Sequence, residues 1–165
     1  MEMDMTWQDG MTREDVLQFS EGILQGEPNY LANLANLAAI LGQFFARVNW
    51  VGFYIAEHGT SDMVLGPFVG LPACTRIGPN QGVVGHAATI GQTLIIDNVL
   101  EFPGHIACDA ASRSEIVVPI LVTGQVVAVI DVDSPELGRF GPDDQNLLES
   151  LAGKIAGHWH HMRSY

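Results

Sequence analysis

The sequence predicts an α+β domain: an antiparallel sheet of about six strands, with N- and C-terminal helices packed on one face and long loops on the other. Three observations predict it. Apolar residues recur at helical spacing at both ends of the chain. Between residues 47 and 133 the period changes to strand-like runs, and hairpin-length connections join most of those runs. The 165 residues suffice for one well-buried core, and no repeat or long linker divides them. Residues 1–11 lack periodicity and are expected to form a flexible N-terminus, leaving 12–165 as the domain.

The elements follow in order. Thr12 with Asp15 three residues later is a variant capping box, and Val16, Leu17, Ile23 and Leu24 share a face behind it. GEPN (26–29) ends this helix. A second helix runs from about Tyr30 to Phe45, with Leu31, Leu34, Ala38, Leu41 and Phe45 at 3–4 spacing. RVNWVGFYIAE (47–57) is a strand with two apolar faces: Val51, Phe53 and Ile55 on one, Trp50, Gly52 and Tyr54 on the other. A hairpin loop, EHGTS, leads to DMVLGPFVG (62–70). The loop LPACTRIGPN holds Cys74. QGVVGHAATIGQ (81–92) is a short helix ended near Gly91, and TLIID (93–97) a strand. Residues 98–114 form a long loop holding Cys108, and such loops in compact domains are commonly functional. EIVVPILV and QVVAVIDVD are strands around Thr123–Gly124. Pro142 marks the start of the last helix, striped by Leu147, Leu148, Leu151, Ile155, Trp159 and Met162.

Composition excludes several classes of function. A net charge of −12 argues against nucleic acid or an anionic membrane as partner, since both attract basic patches. No apolar run approaches the roughly 18 residues of a membrane span, and MEMDMTWQDG has no apolar signal core. Two cysteines are too few for a disulfide scaffold. The expected compartment is the reducing cytoplasm, where a disulfide is transient and catalytic. No cofactor or metal is expected. GPNQGVVGH lacks the Walker lysine and the dinucleotide fingerprint, and no Cys/His spacing matches structural zinc. His158 and His161 can share a helix face, but histidines there more simply complement a helix C-terminal dipole.

Free cysteines are commonly small buried hydrophobes, yet Cys74 and Cys108 both lie in loops bounded by Gly, Pro, His and Asp. A protonated His105 would favour a Cys108 thiolate. Asp109 opposes it, so the local sequence leaves the thiol pKa open. Glu115 opens one strand, and Asp131 and Asp133 close the next. A two-residue turn at Thr123–Gly124 would set Glu115 opposite Val132, with the acids on opposite faces. A three-residue loop, Val122-Thr123-Gly124 with Gly124 left-handed, sets Glu115 opposite Asp131 with Asp133 on the same side. The expectation adopted is the second. Acids so close retain a proton near neutrality, and such a cluster can bind an ammonium group and donate a proton. Trp50 and Tyr54 share a strand face, either as ordinary core or as the wall of an aromatic pocket.

NWVGFY, LGPFVGLPAC, GVVGHAA, FPGHIACDAASRSEIVVPI and AVIDVDSPELGRF, in this order across about residues 28–160, resemble the free methionine-(R)-sulfoxide reductases, single-domain members of the GAF fold. The resemblance implies a GAF-like catalytic domain over 12–165. It further implies reduction of free L-methionine-(R)-sulfoxide, with thioredoxin recycling the enzyme. Cys108 takes the catalytic position and Cys74 the resolving one. Glu115, Asp131 and Asp133 match the acidic substrate-binding set, and Trp50 and Tyr54 the aromatic pocket. One departure stands out. Where the family often reads GVCG this chain has GVVG, so Val84 supplies no thiol and Cys74 alone must resolve. A homodimer is compatible with these expectations. The rival classes are a GAF module binding a regulatory small ligand and a thiol redox sensor using the same disulfide.

Overall fold

Six strands form one antiparallel sheet: β1 (Trp50–Ala56), β2 (Met63–Val69), β3 (Arg76–Ile77), β4 (Leu94–Ile96), β5 (Ser114–Val122) and β6 (Gln125–Ser134), in the order β3-β2-β1-β6-β5-β4. Among the described residues four α-helices complete the domain: α1 (Arg13–Gly26), α2 (Tyr30–Phe44), α3 (Gly82–Ile90) and α4 (Pro142–His158). The computed structural model describes residues 10–106 and 108–163. The expected flexible N-terminus lies outside them, except for Gly10 and Met11.

Local chemistry sets the helix ends. Thr12 Oγ1 accepts from Asp15 N–H (3.1 Å) while the Asp15 carboxylate accepts from Thr12 N–H (2.8 Å), the reciprocal box the sequence suggests. Asn29 caps α2 by accepting from Ala32 N–H (3.0 Å). α4 stops at His158, and a tighter 3-10 turn carries Trp159–His161. The apolar stripe thus continues past the helix, with Trp159 and Met162 still packed on the core. His158 Nε2 pairs with Glu21 Oε1 (2.9 Å) across to α1.

The central strands are buried on both faces. On one, Val51, Phe53, Ile116, Val118, Ile130 and Val132 pack against α2 and α4, with α1 outside them. On the other, Trp50, Tyr54, Val117 and Val129 meet Val83, Val84 and Ala87 of α3. Helices are therefore not confined to one face. α3 closes part of the loop face because its apolar side is the cover those residues need. The two-residue β3, within the segment read as loop, is too short to show a period.

The β5–β6 register differs from expectation in turn length and in the partner of Glu115, but keeps the three acids on one face. The turn is two residues, Thr123 (φ 50°) and Gly124 (φ 79°), the doubly left-handed geometry that suits strand twist. Val122 pairs with Gln125 and Leu121 with Val126, but Ile120 pairs with Ala128. Val127 is the extra residue of a bulge. Beyond it Glu115 lies opposite Asp133, not Asp131, and Asp131 lies opposite Val117. Without the bulge Ile116 would face Asp131, and each face would mix core with carboxylates.

A Cβ at Gly124 would meet nothing within 4 Å, so backbone strain alone opposes substitution there. Gly124→Val should lower unfolding free energy by about 1–2 kcal/mol in urea titrations. Thr123→Asn should raise it, because Asn tolerates the left-handed region that a β-branched residue resists.

Candidate active site

The pairing lays the side chains out in rows across the sheet. Trp50, Asp133 and Glu115 are successive partners on β1, β6 and β5, and Gly52, Asp131 and Val117 form the next row. All face away from α2 and α4. Gly52 has no Cβ for a spatial reason: one would stand 2.8 Å from the Trp50 ring and closer still to Phe68. The Trp50 indole lies over it, stacked between Phe68 (centroids 5.3 Å apart) and Tyr54 (5.9 Å).

These aromatics also hold the loop of Cys74. Trp50 Nε1 donates to Leu71 O (3.1 Å), and the Tyr54 hydroxyl donates to Cys74 O (2.9 Å). Burial and the three nearby carboxylates hold the Tyr54 hydroxyl in its protonated form. Core and pocket wall, alternatives in sequence, are here the same residues: both rings are almost fully buried and both line the cavity.

Cys74 and Cys108, 34 residues apart, form a disulfide with Cα atoms 5.5 Å apart. Beneath it lies a cavity of about 50 Å³ bounded by Trp50, Tyr54, Cys108 and the three acids. The first turn of α3 (Gly82, Val83, Val84) forms another wall. Gln81 gives that turn no side-chain cap, and first-turn N–H groups have no partner inside a helix. Val84 is a buried apolar lining residue, in line with the reading that it supplies no thiol.

Glu115 and Asp131 are 7% and 5% exposed, and the three acids bring oxygens within 4.8 Å of one another. Among the described residues no Lys, Arg or His forms an ion pair with them. Burial first, then mutual repulsion, push all three carboxyls well above their ordinary range. Carboxyls this close and this deeply buried do not all ionise, so the cluster retains a proton near neutrality. The Ser112 hydroxyl acts on Asp133 in the opposite direction. Asp131 Oδ1 is buried without a partner. The site is thus an acidic floor with one unfilled acceptor, suited to a cation that brings its own hydrogens or to a metal ion.

The two neighbours of Cys108 play parts the sequence left open. Burial lowers the His105 pKa, which disfavours the imidazolium that would draw out a thiolate. Asp109 has both oxygens occupied, by Ala111 N–H (2.8 Å) and by the Asn49 amide (2.8 Å). Sequence reading missed Asn49 and Ser112. Neither belongs to a periodic pattern, and the only signal was a polar residue directly before the apolar run of β1.

A six-stranded antiparallel sheet backed by α1, α2 and α4 on one face, with α3 and the cysteine loops over a pocket on the other, defines a GAF domain, and the GAF domain family model matches residues 30–159. Free methionine-R-sulfoxide reductase of Escherichia coli (strain K12) is 45% identical over 133 residues, covering 81% of this chain and 79% of that protein. Protein YtsP of Bacillus subtilis (strain 168) is 47% identical over 137 residues, covering 83% of this chain and 84% of that protein. The X-ray structure of free methionine-R-sulfoxide reductase from Neisseria meningitidis in complex with its substrate superposes with a TM-score of 0.87. Its identity is 40%, and the match covers 90% of this chain and 89% of that one. The chain belongs to the GAF-domain family of free methionine-R-sulfoxide reductases.

The acidic floor carries a stability signature. Each carboxyl ionises less readily folded than unfolded, so the folded state binds more protons above the ordinary values of 3.8 for Asp and 4.5 for Glu. Stability from this source is greatest below those values and falls as pH rises toward the raised ones. Glu115→Gln should therefore stabilise the fold at pH 7.5 by about 1 kcal/mol or more, and by much less at pH 4. Melting temperatures of the two chains at both pH values check this.

Proposed function

We propose that this protein reduces free L-methionine-(R)-sulfoxide to L-methionine, with Cys108 as nucleophile and Cys74 as the resolving thiol. The observation that carries the reading is a disulfide joining two separate loops, with Cys108 on the wall of a cavity that Glu115, Asp131 and Asp133 also line. The relatives from Escherichia coli and Neisseria meningitidis bear the matching name, the second with its substrate bound.

Sulfoxide sulfur is a poor electrophile until its oxygen is protonated. A proton retained by the acidic cluster goes to that oxygen as the Cys108 thiolate attacks sulfur. The S–O bond breaks as the protonated oxygen passes to Cys108 Sγ, the transient bond between the two sulfurs breaks with it, and methionine leaves as the thioether from a Cys108 sulfenic acid. The Cys74 thiol displaces water from it, forming the disulfide. A dithiol of the thioredoxin type, at roughly −270 mV, returns both cysteines to thiols and is itself oxidised. That reductant places the reaction in a reducing compartment such as the cytoplasm.

Binding follows the same charges. The substrate ammonium sits on the acidic floor, where Asp131 Oδ1 lacks a partner. The carboxylate meets the first turn of α3, where Gly82 N–H already donates to Gly104 O but the Val83 and Val84 N–H groups and the helix dipole favour an anion. The methyl and sulfur lie against Trp50 and Tyr54, sulfur over aromatic carbon being a favourable contact. A pocket with separate places for ammonium and carboxylate fits a free amino acid rather than a residue inside a protein. The site is built within one chain, so a homodimer is compatible with it but not required for it.

A coupled NADPH–thioredoxin assay with both free epimers and a sulfoxide-containing peptide tests the reading. Turnover should be confined to the free R epimer, and equal turnover of the peptide would refute it. Cys108→Ser should abolish even one turnover. Cys74→Ser should complete one turnover yet recycle poorly with thioredoxin, because the sulfenic acid lacks its partner. Glu115→Gln, nearly isosteric, should fold and lose about 100-fold or more in rate.

A further inference from the structure

Asn49 stands just before β1. Its backbone N–H donates to Asp133 O (3.0 Å), which fixes it to the strand end bearing that acid. Its side-chain amide reaches the other way, into the loop of Cys108: Nδ2 donates to Asp109 Oδ2 (2.8 Å) and to Ser112 Oγ (3.1 Å). Asp109 follows Cys108 in the chain, and its second oxygen accepts from Ala111 N–H (2.8 Å), closing an Asx turn. Ser112 is buried and lines the pocket together with Asp133. One amide therefore ties the cysteine loop to the acidic floor. Asn49 Oδ1 is buried without a partner. The orientation that serves the loop leaves a carbonyl oxygen unsatisfied, and such an exception in a folded interior calls for a reason.

We propose that Asn49 is a positioning residue for Cys108: by clamping Asp109 and Ser112 it fixes where the nucleophilic sulfur stands over the acids. The proposal rests on the reading of Cys108 as nucleophile. The clamp acts in two ways. It sets distance, and a displacement of about 1 Å at a reacting centre can cost about 100-fold in rate. It also engages a carboxylate beside the thiol, where an unengaged negative charge would raise the thiol pKa.

The hydrogen-bond inventory makes the pair testable by exchange. Asp109 serves two donors with two oxygens. In Asp109→Asn a single carbonyl oxygen must serve both, so one bond is lost. In Asn49→Asp two carboxylates confront each other. In the double variant the carbonyl at 109 still accepts from Ala111 N–H, its amide donates to the carboxylate at 49, and that carboxylate accepts from Ser112 Oγ.

Two readouts are needed on the reduced proteins: single-turnover reduction of the free sulfoxide, and the pH profile of Cys108 alkylation by iodoacetamide, followed by mass spectrometry. Asn49→Asp should lower the single-turnover rate by about 10- to 100-fold and move the alkylation midpoint to higher pH. Asp109→Asn should lose less. The double variant should exceed the product of the two single effects by about tenfold or more, with its alkylation midpoint returned toward that of the parent. Single losses that simply multiply, or an Asn49→Asp chain reacting as the parent does, would overturn the proposal. Should Asn49→Asp fail to fold alone, the decisive comparison is the double variant against Asp109→Asn: a faster double variant supports the pair, and a slower one refutes it. Alkylation needs no substrate. A parent chain that turned over no sulfoxide would end the functional reading while the alkylation profiles still decided the role of Asn49.

Discussion

The site depends on one irregular step in the sheet, the bulge at Val127. A two-residue turn alone would place every residue of β5 against the wrong parity of β6. The extra residue restores even pairing, so Ile116, Val118 and Ile120 share the helix-facing core with Ala128, Ile130 and Val132. The same correction gathers Glu115, Asp131 and Asp133 on the other face. Core and chemistry are thus two results of a single register, and neither can be shifted without the other.

The second constraint is electrostatic. Three carboxyls crowded into a nearly dry pocket oppose folding, because burial disfavours their charged forms. The fold bears this by burying the central strands on their opposite face against α2 and α4. It also bears it by leaving part of the charge unformed, since burial and mutual repulsion raise the pKa of Glu115, Asp131 and Asp133. Local instability is placed where protonation and cation binding are useful, which is the usual relation between strain and function. The aromatic residues contribute at two levels. Trp50 and Tyr54 fill the pocket wall and, through their polar ends, hold the Leu71–Cys74 segment in place.

Much of this was legible in the sequence, for physical reasons. The stripes of α1, α2 and α4 are long enough for a 3.6-residue period to stand out, and β1 shows both its apolar faces. The common face of the three acids followed once the register was assumed even. The bulge itself was not legible: in QVVAVID any one of several similar apolar residues can be the extra one, and only pairing across the sheet selects Val127. β3 is two residues long. Asn49 was invisible because its bonds reach Asp109 and Ser112, 60 and 63 residues away, and nothing local marks such a contact. The roles of His105 and Asp109 were balanced in sequence and separate only once burial and hydrogen-bond partners are known.

The cavity under the closed disulfide, about 50 Å³, has room for a few water molecules and none for an amino acid. On the proposed chemistry the oxidised chain is therefore a state from which methionine has already gone. Amino acid and reductant take turns at a shared pair of sulfurs and never meet on the protein. The enzyme alternates between two half-reactions, a ping-pong order. Excess methionine then competes with sulfoxide for the reduced form and leaves the oxidised form, and its access to reductant, untouched.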